Sequence, residues 1–343
     1  MNAFARYGRL AIFSVCMLLS ASIGRADPTY HYLNEIDVGG AGGWDYMTVD
    51  DAAHRLYVTH GDKIVVIDTR TDTVVGEIAD TPGVHGFAVA PDLQRGFSSN
   101  GREGKVSIVD LKTLQTTGKV GTGKNPDAII YASGPQEVYA FNGKDQSATV
   151  FDAKSGNVVT TIALPGTPEF AAYDPVADMV YDNIENKNEV VEINAKTHEI
   201  VNTWPVAPGA EATGLAVDLD HHRLFIGCRN RLMVMMDSTS GKVMASVPIG
   251  ERVDATAFEP GAQRAFCSNG DGTLTIAYED SPDKLVVVQD LMTQKGARTM
   301  ALDLQTKKVY LATAKFQASP ANGPAPSRPT PIPGTFKILV YGE

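Results

Sequence analysis

The chain has 343 residues, of which 43% are apolar and 20% charged, with a formal net charge of −10. That balance supports a large core, is too weakly charged for a disordered acidic chain, and has the wrong sign for binding a phosphate backbone, so no nucleic-acid partner is expected. Three cysteines exclude a disulfide scaffold and a four-cysteine zinc site.

At the N-terminus, Arg6 and Arg9 precede an apolar run over 10–19, and Gly24 and Ala26 supply the small residues before Asp27. This is the pattern of a Sec-type signal peptide over 1–26, which predicts a periplasmic or secreted protein with 27–343 as its single mature domain. The run is too short to cross a bilayer, and no stable membrane span is expected in the mature chain. Cleavage would remove three arginines and no acids, moving the charge from −10 to −13. It would also leave only Cys228 and Cys267. These lie in neighbouring repeats with equal side-chain parity, where sheets stack about 10 Å apart. That is too far for a disulfide, so two buried thiols are expected.

Beyond residue 31 a repeat organises everything. One aromatic recurs as Tyr57, Phe97, Tyr139, Tyr181, Phe225, Phe266 and Tyr310, 40 to 44 residues apart. Eight residues before each stands another large apolar residue: Val49, Val89, Tyr131, Tyr173, Val217, Phe258 and Leu302. Each copy contains β-branched runs separated by Pro/Asp, Asn/Gly and Ser/Gly turns, which is the pattern of four antiparallel strands. No stretch has a helical period. The fold class is therefore all-β, and seven four-stranded units predict one seven-bladed β-propeller.

The ends of the chain predict how the ring closes. Residues 336–341 read as the third strand of the last blade, after which the chain has no length for a fourth. The spare strand lies at the other end, over 31–38, so the N-terminal strand is expected to complete the last blade and leave no open edge. Between them, 315–335 carries six prolines from Pro320 to Pro333. It is expected as an irregular loop inserted between the second and third strands of that blade.

The segments RLYVTH, RGFSSN and RAFCSN, each followed by a VSIVD-like strand, resemble the YVTN-type β-propeller repeat. The resemblance covers 31–343 and places the chain near the YncE-like secreted bacterial proteins. It departs from the ideal tetrad at His60, Ile184, Cys228 and Thr313. It implies the fold and no particular reaction, because relatives of this architecture include dehydrogenase heavy chains, lactonases and surface-layer proteins.

Twelve residues before each recurrent aromatic, at the entry to the innermost strand, stand Asp45, His85, Asp127, Glu169, Thr213, Asp254 and Arg298. All are polar, and a ring of unlike charges at a channel mouth is a reasonable site for a small polar molecule or a protein segment. His60, on the same side, is an eighth candidate ligand-binding residue. The positions nearest the axis are mostly small (Ala88, Ala172, Ala216, Ala257, Ala301). The proline-rich insertion is expected on the same face, as a partial lid beside Arg298 and Asp45 or as a docking segment. His221 and His222 fall in a turn on the opposite face and read as solvated.

No catalytic residue is assigned. The leading expectation is a monomeric, non-enzymatic binding or scaffold protein with no cofactor. One rival is a lactonase-type hydrolase in which Asp45, Asp127, Glu169 and Asp254 hold Ca²⁺ or Mg²⁺. The other is a subunit of a periplasmic redox enzyme, which would borrow its redox centre from a partner.

Overall fold

A computed structural model describes residues 29–317 and 330–343. The signal-peptide reading, and the tip of the proline-rich insertion, lie outside the described residues. What is described consists of seven antiparallel four-stranded sheets following one another around a ring. Among these residues there is no α-helix, only two single turns of 3-10 helix, and no helix is long and apolar enough to cross a membrane.

Blades 1 to 6 occupy 44–78, 84–121, 126–163, 168–205, 212–248 and 253–292, each with its strands in sequence order from the axis outward. Blade 7 combines 299–342 with the N-terminal strand His31–Asp37, which pairs antiparallel with Lys337–Gly342 as the outermost strand. The innermost strands of neighbouring blades pack side by side around the axis, and those of blades 7 and 1 meet as the others do. A covering strand from the opposite terminus converts what would be an exposed ladder edge into a paired one.

The repeat packs as its phase dictates. The seven recurrent aromatics are each 0–1% exposed and fill the seams between blades. Burying a side chain of this size is worth several kcal/mol, since truncation to alanine costs about 3–5 kcal/mol. The hydroxyls have a second task. Tyr139 donates to Ala195 O at 3.1 Å, Tyr181 lies 3.4 Å from Ser238 O, and Tyr310 donates to Thr69 O at 3.2 Å. In each case the acceptor follows the third strand of the next blade, and the Tyr310 contact ties blade 7 to blade 1. Where the aromatic is Phe97, an arginine two residues earlier substitutes, with Arg95 donating to Ala153 O at 2.8 Å.

Cys228 and Cys267 are buried free thiols, and burial pushes both up to about 12.

Candidate ligand site at the channel mouth

Each innermost strand of blades 1 to 4 carries a register irregularity at its first residues. Trp44 pairs with His60 and Met47 with Val58, so Asp45 and Tyr46 together oppose Thr59 alone. The same two-against-one count falls at His85, Asp127 and Glu169 in their blades, and a register shift falls at Thr213 and Asp254. Six of the seven ring positions thus fall at bulges, and a bulge bends the strand and re-aims a side chain. Hydroxyls of the adjacent strand hold the bulges: Thr59 Oγ1 accepts from Asp45 N–H at 3.1 Å, and Ser99 Oγ accepts from Gly86 N–H at 2.8 Å.

Six of the seven ring residues form two charged clusters. In the first, His85 Nδ1 lies 2.7 Å from Asp45 Oδ2 and 3.5 Å from Asp127 Oδ1. One ligand atom from each of these three lies within 4.8 Å of the others, a donor set of one nitrogen and two oxygens. In the second, Arg298 pairs with Asp254, and Arg229 pairs with Glu185 while approaching Glu169 at 3.6 Å and Asp254 at 3.9 Å. The four carboxylates read as a single cation set are therefore divided. Asp45 and Asp127 face an imidazole, whereas Glu169 and Asp254 face guanidiniums.

Tyr46 extends from blade 1 to blade 4, where its hydroxyl donates to Glu169 O at 3.0 Å and its ring meets Phe170 edge-on, with centroids 5.1 Å apart. Two aromatic rings thus meet across the axis, each one residue along the chain from a ring position, Asp45 or Glu169. Burial holds Glu169 well above the usual carboxylate range, reinforced by Asp127, Asp254 and Glu185 and opposed by Arg229. Burial likewise drives Tyr46 upward, with Asp127 and Glu169 adding to it. For Arg298, burial acts downward, yet Asp254 and Asp45 outweigh it and the guanidinium is held above its ordinary value.

Two predicted site residues point elsewhere. Thr213 is fully buried in the seam of blades 5 and 6, its hydroxyl 3.2 Å from Gly227 O and 3.1 Å from Val253 O. His60 is 2% exposed. Its ring stacks on Phe336 at 4.1 Å, and its nitrogens lie 3.1 Å from Gly39 O and 3.2 Å from Gly43 O. It pins the glycine run 39–43 where that loop crosses from blade 7 to blade 1. Burial lowers its affinity for a proton. Gly42, at φ +112, could not carry a side chain there, since a Cβ would lie 2.9 Å from Gly61 Cα.

The stem of the proline-rich insertion is ordered beside the mouth. Phe316 bridges to Pro331, Gln317 N–H donates to Thr330 O at 2.9 Å, and Ile332 N–H donates to Lys315 O at 2.7 Å. The Phe316 ring is 6.0 Å from Trp44, the neighbour of Asp45.

Glu185, Arg229 and Tyr46 were not among the predicted site residues. The first two had a signal. Four residues after the recurrent aromatic the repeat places Gly61, Gly101, Gly143 and Gly270, but Glu185 and Arg229 in blades 4 and 5. Two consecutive departures from a turn glycine, of opposite charge, mark a place where side chains replace backbone freedom.

No protein family matches the chain, and no curated protein matches it. Among solved structures it is similar to a chain from Kuenenia stuttgartiensis hydrazine synthase, with a TM-score of 0.70 at 16% identity, over 79% of this chain and 92% of that one. The chain is a seven-bladed β-propeller. At that identity the likeness carries the fold alone, and the mouth of this propeller must be interpreted from its own residues.

Proposed function

We propose that this propeller is a periplasmic or secreted binding protein of the YVTN-repeat type, whose channel mouth takes a small, positively charged polar molecule without transforming it. The observation that carries this is the convergence of charged side chains at the inner-strand entries, beside a tyrosine whose hydroxyl spans the axis to Glu169 O. Around it stand Asp45, Asp127, Glu169, Glu185 and Asp254 against Arg229, Arg298 and His85. Carboxylates outnumber guanidiniums among them. Beside Asp45, His85 and Asp127, where two carboxylates face one imidazole, an ammonium group fits by charge. A thermal-shift screen of primary amines should give stabilisation in the wild type that is lost in the Asp45→Asn/Asp127→Asn double variant. Equal shifts in both proteins would refute the assignment.

A second reading is a divalent cation at the same three residues, supporting a hydrolase. It is favoured by the 4.8 Å grouping of Asp45, His85 and Asp127. An imidazole in the set turns the expected metal from Ca²⁺ or Mg²⁺ towards the first-row transition ions. Stabilisation that a chelator abolishes would select this reading over the amine.

A further inference from the structure

The opposite rim carries a second cluster, independent of the mouth. Asp218 ends the innermost strand of blade 5, Ala212–Asp218, and is buried. Its Oδ1 accepts from the N–H of Asp220 at 3.0 Å, and its Oδ2 lies 2.6 Å from His221 Nδ1. From blade 6, Glu279 of strand Thr273–Ser281 enters the same place, with Oε2 3.9 Å from His221 Nδ1. Glu279 is 4% exposed, and its Oε2 has no hydrogen-bond partner. One ligand atom from each of the three residues lies within 4.8 Å of the others.

The repeat explains Asp218 but not Glu279. An aspartate at the Asp218 position caps the same turn elsewhere, as Asp50 does for Ala53 N–H and Asp174 for Val176 N–H. The position after the third strand, however, holds Thr69, Leu111, Ala153, Ala195 and Ser238 in blades 1 to 5, and a carboxylate only in blade 6. Burying an acid there is costly unless something compensates it. Arg223 does so only partly. Its Nε stands 3.7 Å from the other oxygen, Oε1, while its Nη1 is committed to Asp237 Oδ2 and the carbonyls of His221 and His222.

We propose that Asp218, His221 and Glu279 form a divalent transition-metal site joining blades 5 and 6, with Oδ2, Nδ1 and Oε2 as its protein ligands. One imidazole and two carboxylates suit zinc or manganese better than calcium, and three protein ligands leave coordination positions for water. The His221 side chain, 47% exposed, gives the ion its entry path and the rotational freedom to close on it.

The test is calorimetric titration of the full chain with zinc chloride, for the wild type, His221→Ala and Glu279→Gln. The wild type should bind zinc, and each variant should lose one equivalent or bind it at least tenfold more weakly. His221→Ala removes an exposed ring, and Glu279→Gln replaces a buried, only partly compensated acid with an amide of the same shape, so both should fold. A wild type that takes up no zinc at micromolar concentration overturns the proposal. So do variants that keep the wild-type stoichiometry and affinity, because the ion would then be bound elsewhere.

Discussion

The hydroxyl of Tyr46 in blade 1 donates to the carbonyl of Glu169 in blade 4 at 3.0 Å, across the axis of the ring and 123 positions along the chain. This contact braces two blades that share no seam. Tyr46→Phe should keep the ring contact with Phe170 and lose one hydrogen bond, at a cost of about 1 kcal/mol. Tyr46→Ala should lose both and cost about 3–5 kcal/mol. Urea unfolding of the two variants measures the difference, and equal losses would mean that the ring fills nothing.

Arg229 stands among Glu169, Glu185 and Asp254. Arg229→Ala leaves these acids facing one another and should lower stability by about 1–2 kcal/mol, the guanidinium being one-third exposed and partly screened. Adding Glu185→Gln should recover part of that loss. A double-mutant cycle reads the coupling, and strictly additive effects would separate the pair.

Asp182 is fully buried, and burial holds it well above the usual carboxylate range against the opposing pull of the Glu169 backbone N–H. Its folded form keeps the proton that the unfolded chain releases near pH 4. The associated stability is therefore complete below that pH and declines as pH rises, by at most about 1.4 kcal/mol per unit. Asp182→Asn cannot ionise. Its Tm should match the wild type near pH 4 and exceed it increasingly towards pH 8. An offset that is constant with pH would contradict the assignment.

The recurrent tyrosines differ in a way that a pair of variants can expose. Tyr57 has a buried hydroxyl without a hydrogen-bond partner, because Arg55 Nη1 donates to Leu111 O at 2.6 Å in the place that the other tyrosines use. Tyr57→Phe should be neutral or stabilising, whereas Tyr139→Phe should cost about 1 kcal/mol by losing its bond to Ala195 O. Chemical denaturation of both decides the matter, and equal costs would dissolve the distinction.

These particulars show why some of the site was legible in the sequence. The fixed spacing back from each recurrent aromatic located all seven ring positions, because blades are equivalent and one phase serves the whole ring. Side-chain direction was not legible in the same way. The alternation that assigns residues to faces of a strand fails inside a bulge, and Thr213 turns into a seam while its counterpart Asp127 faces His85. His60 follows the repeat in position yet serves the glycine run beside it. Tyr46 carries no local signal, since its partner is set by the diameter of the ring. The carboxylate at Glu279 and the pair Glu185–Arg229 become visible only as departures from the residues their repeats hold elsewhere.

The central claim is that the anionic mouth takes a cationic molecule. Titration calorimetry with 1,4-diaminobutane at low ionic strength tests it most directly, in the wild type and in Asp45→Asn/Asp127→Asn. The account predicts saturable binding in the wild type that weakens with added salt and is absent from the double variant. Binding of equal strength in both proteins, or none in the wild type, would contradict it.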